Sequence, residues 1–390
     1  MKDPKRPSSI GEGLRGEQLA VRFGWVSLLQ DLGSKMVVPL VPLFLTVSLG
    51  ASTLVVGLVD GVATATVAVT APIAGRLTAR VAPLRLTRVG YGLSSVAKLL
   101  LAATSAWGTV LAVRVVDRLG KGVRDAPRDL LLAAGGARRR GRRFGIQQAM
   151  DKFGGFLGPL LGVVVFEATD GSFRWVFVVA FLPCALSVAL LWGRFPDAEA
   201  ERSDGRHDGA VAAAQRRALG LVGLHDLAAV PLALVIVRGV EVGLGVSDVL
   251  LAFSLYRLAT ALVAYPAGAL VDRLGPSSMV AAGMATTALA FAVALSTTAV
   301  AVWAALGLLG VADGARRSAQ KVWLTELGTT AQRGPAFGLL SSVGAATALV
   351  GGIGHGAAFA GYATWSLGVA AVGCTIAAAG VAVSSSTGRP

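Results

Sequence analysis

The sequence predicts an all-α membrane protein with twelve transmembrane helices arranged as two pseudo-symmetric six-helix bundles. Of its 390 residues, 54% are hydrophobic and only 15% are charged, whereas soluble domains are about a quarter charged. Apolar runs of about 17–25 residues recur along the chain, each long enough to cross a hydrocarbon core of about 30 Å. Since lipid offers the backbone no hydrogen bonds, each run is expected to be helical.

The predicted spans are spread evenly over the chain. They begin near Leu19, Leu54, Val89, Trp107, Phe144, Trp175, Leu219, Val249, Met279, Ala299, Phe337 and Trp365. The 50 glycines suit such a bundle, because small residues let the backbones of membrane helices approach each other closely.

An internal repeat relates the two halves of the chain. At one offset of 193 residues, Gly75 and Arg80 match Gly268 and Arg273, and Gly158 matches Gly351. Charged positions agree as well, with Arg124 falling on Arg317. The repeat predicts an N-terminal bundle at 1–193, a polar cytoplasmic linker at 194–217 and a C-terminal bundle at 218–390.

The net charge of +14 is distributed according to membrane orientation. Arginines cluster in alternate loops, for example at Arg85 and Arg88 and again from Arg138 to Arg143. This pattern is the positive-inside signature, which places both termini in the cytoplasm of a cell whose inner (plasma) membrane the chain crosses several times. It explains the basic balance without nucleic-acid binding, which we do not expect.

A stripe of charge marks the fourth predicted span. On a helix at about 100° per residue, eight charged side chains between Arg114 and Asp129 fall within a sector about 140° wide. Facing lipid, each central charge would cost about 2.5–3.5 kcal/mol, so the stripe is expected to face protein or a water-filled cavity. We expect Asp117 to pair with Lys121, and Asp125 with Arg124 or Arg128.

Two interpretations of this stripe remain open. In the first, the charges pair with one another along the helix and only hold it against its neighbours. In the second, the excess of five cations over three anions is balanced by a carboxylate from elsewhere in the protein or by an anionic ligand. We assign substrate binding to a set of charged residues in the first half. This set is Arg114, Asp117, Arg118, Lys121, Arg124, Arg128, Lys35 and Lys98.

Carboxylates and a histidine within other spans are the candidates for proton coupling. Asp31 is the leading candidate, because it lies near the expected midplane with Lys35 one turn away. Asp151 in the fifth span is expected to receive an arginine of the fourth. In the second half, His225 and Asp226 occupy the position that Gln30 and Asp31 hold in the first, and a coupled pair of this kind can titrate near neutrality.

The chain resembles the major facilitator superfamily, and three motifs carry the resemblance. The loop motif G-x-x-x-D-R survives as Gly75 to Arg80 with alanine in place of aspartate, and its second copy keeps Asp272 and Arg273. Arg114 matches the arginine of the fourth span. The run after it resembles a drug/solute antiporter-like branch with an extended D-R-x-G-K-G-x-R-x-x-P-R-D motif. The third motif, the fifth-span antiporter pattern, is met by Gly145, Gly154, Gly158, Pro159 and Gly162.

The resemblance implies a secondary transporter that exports a small organic solute in exchange for protons. The excess of cations on the fourth span suggests that this solute is anionic or zwitterionic. Its partners are expected to be that solute, protons and the bilayer, and the chain is expected to act as a monomer without cofactor, metal or enzymatic activity. Proton-coupled anion uptake by symport is one alternative. A non-transporting membrane receptor or assembly factor is another, although the short loops speak against it.

Overall fold

The computed structural model describes the backbone of residues 9–78, 80–134, 140–193 and 211–386, and within them every regular element is a helix. The first half of the sequence forms α1 (Ser9–Val37), α2 (Leu40–Leu43), a π-helical turn (Phe44–Ser48), α3 (Thr53–Leu77), α4 (Pro83–Ala102), α5 (Trp107–Ala134), α6 (Arg140–Ala168) and α7 (Phe173–Trp192). The rest forms α8 (Ala213–Ala228), α9 (Leu232–Glu241), α10 (Val246–Leu274), α11 (Pro276–Ala294), α12 (Ala299–Glu326) and α13 (Thr330–Ser386).

By length and composition alone, nine helical segments of the described chain are suited to crossing a membrane. The predicted twelve differ from these nine for physical reasons. Helices α4 and α5 lie at predicted spans but are not among the nine, because charged side chains interrupt their apolar stretches. The eleventh and twelfth predicted spans run together in α13, where Tyr362 breaks the helical geometry with φ −138° and ψ 44°.

Contacts divide the chain into two units, and these differ from the predicted bundles. The first unit comprises Met1–Val37, Thr70–Ala103 and Ala112–Asp204, and the second comprises Val38–Val69, Thr104–Leu111 and Gly205–Pro390. The beginning of α3 therefore packs with the second half of the sequence. The division at 193 and 218, which follows the sequence repeat, stays a prediction.

Helix α1 is the centre of packing in the first unit, where it lies against α6 and α7. Its contact with α6 depends on glycine. A Cβ atom added at Gly158 would lie 2.5 Å from the carbonyl oxygen of Leu32, so only glycine permits this approach. Gly154 faces Leu28 in the same way one turn earlier. The glycines of the fifth-span pattern thus form a groove for α1, and the part of this pattern in antiport stays a prediction.

Similar contacts recur in the second unit at or near the positions that the repeat pairs. Gly351 lies against the carbonyl oxygen of Leu227, as Gly158 does against Leu32. The thiol of Cys184 lies 3.7 Å from the carbonyl oxygen of Gln30, and that of Cys374 lies 3.9 Å from the carbonyl oxygen of His225. These matched contacts agree with duplication of an ancestral unit.

Helices α3 and α13 cross closely within the second unit. Carbon atoms added at Gly61 and Gly352 would lie 2.7 Å and 2.5 Å from the carbonyl oxygens of Ala348 and Gly57. At the same crossing, the hydroxyl of Thr53 donates a 2.8 Å hydrogen bond to the carbonyl oxygen of Gly356. The crossing leaves no room for any side chain at these glycines.

Candidate functional site

The charged stripe of α5 faces protein. Arg114, Asp117 and Arg124 are buried, whereas Leu119, on the opposite side of the helix, is exposed. The hydrophobic residues on that side suit contact with lipid, and the charged side is covered by α4 and its neighbours. The sequence-based expectation that these charges avoid lipid therefore agrees with the structure.

Asp117 is the common partner of three cations. Its carboxylate oxygens lie 2.5 Å from Lys98 Nζ, 3.4 Å from Arg114 Nη1 and 3.7 Å from Arg118 Nε. The side chain of Lys98 is only 2% exposed. The predicted partner, Lys121, contacts Asp125 instead. The prediction was wrong because it considered α5 alone, and the side chain of Asp117 points to α4.

Asp125 is the centre of a second, more open group. Its carboxylate oxygens lie 3.1 Å from Lys121 Nζ, 3.6 Å from Arg124 Nε and 3.7 Å from Arg128 Nη1. Arg128 also contacts Asp129 at 2.9 Å. The side chain of Asp125 is 28% exposed and that of Asp129 is 50% exposed, against 10% for Asp117. The stripe thus becomes more accessible toward its C-terminal end.

Arg124 is held against an aromatic ring that the sequence analysis did not single out. Its guanidinium carbon lies 4.5 Å from the centre of the Tyr91 ring, a cation–π distance. Its Nε and Nη1 atoms are buried without a hydrogen-bond partner among the described residues. A Cβ atom at Gly90 would lie 2.7 Å from Arg124 Cβ, so close packing of α4 and α5 fixes this side chain. A lone tyrosine beside glycine in an apolar span was the available signal.

Residues of α1 and α6 complete the group in the first unit. Asp151 of α6 interacts electrostatically with Asp31 and Lys35 of α1 and with Lys121 and Arg128 of α5. Arg124 also interacts with Asp31. The fold therefore brings the predicted residues Asp31, Lys35 and Asp151 within electrostatic range of the stripe. Direct pairing of Asp151 with an arginine of α5 stays a prediction.

The remaining motif residues lie on α6 and near the ends of α3 and α10. Pro159 and Gly162 are buried in α6, and Gly145 lies outside the residues whose surroundings the structure describes. Gly75 lies in the last turn of α3, and Arg80, Asp272 and Arg273 are exposed near the ends of α3 and α10. Gly75 packs against α5, since a Cβ atom added there would lie 3.9 Å from the Cβ atom of Ala126. The role of the loop motif in gating stays a prediction.

A polar network occupies the second unit around the predicted pair of His225 and Asp226. Asp226 Oδ1 lies 3.0 Å from His225 Nδ1 and 3.0 Å from Arg316 Nη1. Asp313 accepts hydrogen bonds from Arg317 at 3.0 Å and from the hydroxyl of Tyr256 at 2.6 Å. Asp226 is thus already paired with a guanidinium, which the sequence analysis did not foresee. Within the described chain, no group of three or more His, Cys, Asp or Glu side chains is placed to hold a metal ion.

Solved structures of transporters share the fold of this chain. The nucleoside transporter NupG matches with a TM-score of 0.73 at 12% identity, covering 95% of this chain and 98% of its own. A bacterial homologue of the human lysosomal transporter Spinster, solved inward-facing and unoccupied, matches with a TM-score of 0.73 at 15% identity, covering 96% and 97%. The human organic anion transporter TETRAN has a TM-score of 0.68 at 14% identity, covering 96% and 100%.

Fewer relatives match this chain by sequence than by structure, and each matches a smaller part of it. An uncharacterised MFS-type transporter of Methanocaldococcus jannaschii is 32% identical over 159 residues, which is 40% of each chain. An uncharacterised protein of Mycobacterium tuberculosis is 34% identical over 175 residues, 43% of this chain and 42% of its own. The match thus spans about two fifths of the length of these relatives. The sequence profile of the Major Facilitator Superfamily matches residues 23–236, and the chain belongs to this superfamily.

Proposed function

We propose that this protein is a secondary active transporter that exports a small organic anion or zwitterion in exchange for protons by alternating access. The observation that carries the proposal is the surplus of buried positive charge. Six cations, Lys98 with Arg114, Arg118, Lys121, Arg124 and Arg128, share three carboxylates on α5. With Lys35, Asp31 and Asp151 of the neighbouring helices included, seven cations still face five carboxylates. Withdrawing such charges from water costs several kcal/mol per ion, so an anionic ligand would stabilise the group.

Membership of a transporter family supports transport rather than catalysis. Charged residues within a membrane span favour a solute or ion pathway, since such side chains are otherwise too costly to retain. The increasing exposure from Asp117 to Asp129 supports entry from the C-terminal end of α5, which the distribution of arginines assigns to the cytoplasm. We propose that the protein acts as a monomer in the inner membrane.

For proton coupling we favour Asp31 together with Asp151. The two carboxylates interact with each other and with cations of the stripe. A proton bound by either carboxylate would remove the repulsion between them and would change the charge that a solute meets. His225 and Asp226 are the second candidate pair, and their contact with Arg316 ties them to the network of the second unit.

Replacing Asp31 by Asn should abolish coupled transport while leaving the protein folded, since Asn keeps the size of the side chain but binds no proton. The measurement is internal pH in proteoliposomes, followed with a pH-sensitive dye while a panel of mono- and dicarboxylates and phosphate esters is added outside. We expect at least a tenfold loss of solute-driven proton flux. The matched control is Asp170→Asn in the turn before α7, where φ is 50°, a value that asparagine tolerates.

Wild-type proton flux in Asp31→Asn would remove Asp31 from the mechanism. The direction of flux decides between antiport and symport. Exchange predicts that protons leave the vesicle when solute enters, whereas entry of both together would identify an uptake symporter. A complete lack of solute-dependent flux and uptake across the panel would favour a receptor or assembly factor.

A further inference from the structure

We propose that Lys121, Arg124 and Arg128 form the seat of an oxyanion, the carboxylate or phosphate group of the transported solute, and that Asp125 holds this place when no solute is bound. The proposal rests on the proposed transport function and deepens it by naming the chemical class of the solute. It is carried by the contrast between the two carboxylates that α5 turns toward its cationic partners.

Asp117 is firmly held, whereas Asp125 is not. Asp117 has a 2.5 Å contact with Lys98 and is almost completely buried. Asp125 makes one short contact, 3.1 Å to Lys121, while both guanidinium contacts, at 3.6 and 3.7 Å, exceed hydrogen-bond distance. Its Oδ1 atom has no hydrogen-bond partner in the described part of the chain. A carboxylate that is partly exposed and loosely bonded can be displaced.

Arg124 lacks the acceptors that its geometry calls for. Its side chain is only 5% exposed, and both Nε and Nη1 are without a hydrogen-bond partner among the residues described. A guanidinium group offers a planar fork of donors that matches carboxylate and phosphate oxygens in pairs. The ring of Tyr91 and the close packing at Gly90 keep this fork in position. The seat is therefore preorganised for an oxyanion that Asp125 satisfies only in part.

Exchange of one oxyanion for another explains how a solute could reach this position. Asp125 and Lys121 form the more exposed edge of the group, with 28% and 37% of their side chains exposed. An incoming carboxylate or phosphate meets Lys121 first and then takes the place of Asp125 beside Arg124. The cations then keep a counter-charge throughout, which avoids the cost of leaving them unpaired.

The test uses the full-length protein in detergent and two probes, sodium acetate and inorganic phosphate, with sodium chloride at equal ionic strength as the control for screening. Thermal unfolding is followed as a function of probe concentration. We expect one or both oxyanions to raise the unfolding temperature saturably. Asp125→Asn should bind the probe about tenfold more tightly because the internal competitor is gone, and Arg124→Gln should bind it at least tenfold more weakly. Arg124→Lys should fall between wild type and Arg124→Gln.

Asp170→Asn is the matched control, since it removes one negative charge from an exposed turn before α7, outside the proposed seat. It should leave probe binding unchanged. Equal binding by wild type and Arg124→Lys, weaker binding by Asp125→Asn, or no saturable effect of either oxyanion would each overturn the proposal. Proton-coupled transport of a neutral solute would overturn the oxyanion seat and the anionic nature of the solute but would leave transport itself standing. Saturable oxyanion binding without any transport would overturn the transport function and leave only an oxyanion-binding site.

Discussion

Replacing Asp117 by Asn is expected to destabilise the protein more than any other single charge removal on α5. The substitution leaves the buried Lys98 and Arg114 and the half-buried Arg118 around a neutral amide. Breaking a buried ion pair from one side typically costs about 3–5 kcal/mol. Lys98 and Arg114 are almost fully buried, so water cannot replace the lost carboxylate. The unfolding temperature and the monodisperse yield of the purified protein measure this loss.

The partner of Asp117 provides the internal control. In the double variant Lys98→Met and Asp117→Asn, the most buried cation is removed together with the carboxylate, and we expect it to recover a clear part of the lost stability. Asp129→Asn should change the unfolding temperature little, because exposed pairs contribute about 0–1 kcal/mol. If Asp117→Asn were as stable as Asp129→Asn, the cations around Asp117 would have to be compensated by other groups.

The second large effect is expected at the crossing of α3 and α13. Gly352→Ala places a methyl group 2.5 Å from the carbonyl oxygen of Gly57, so the two helices must separate. Overpacking of this kind costs about 1–3 kcal/mol. If α3 and α13 part and meet during transport, the wedge favours the parted state and should reduce solute flux at least tenfold.

Gly354→Ala is the matched control. It adds the same methyl group to the same helix two residues after Gly352, at a position where no atom lies within 4 Å of the added carbon. It should leave flux unchanged. Reaction of a cysteine introduced by Thr53→Cys with a membrane-impermeant thiol reagent reports the crossing directly, because Thr53 bonds to Gly356 when it is closed. Faster labelling is expected with Gly352→Ala, and equal labelling with both alanine variants would argue against a wedge.

The sequence was sufficient to predict the helical class and the main charged element. Since an α-helix repeats every 3.6 residues, spacing alone placed Arg114, Asp117 and Arg124 on one face. The spacing of residues along one helix could not predict their partners on other helices. Lys98 looked solitary in α4, and only the packing of α4 on α5 brings it to Asp117. Tyr91 was overlooked for the same reason.

The helix starts were predicted more closely than the contacts between helices. The apolar runs located α3, α5 and α12 closely, with starts predicted near Leu54, Trp107 and Ala299 against Thr53, Trp107 and Ala299. The break at Tyr362 directly follows Gly361, and the predicted start of the last span falls three residues later, at Trp365. The pairing of Asp226 with Arg316 spans 90 residues, which no local pattern encodes.

The placement of Cys184 and Cys374 has a practical consequence. Both are completely buried, with their sulfur atoms turned to main-chain oxygens of α1 and α8. The two native thiols should therefore not react with maleimides as long as the protein stays folded. A single cysteine for a spectroscopic label can then be introduced into the wild-type sequence, and Cys184 and Cys374 do not need to be replaced first.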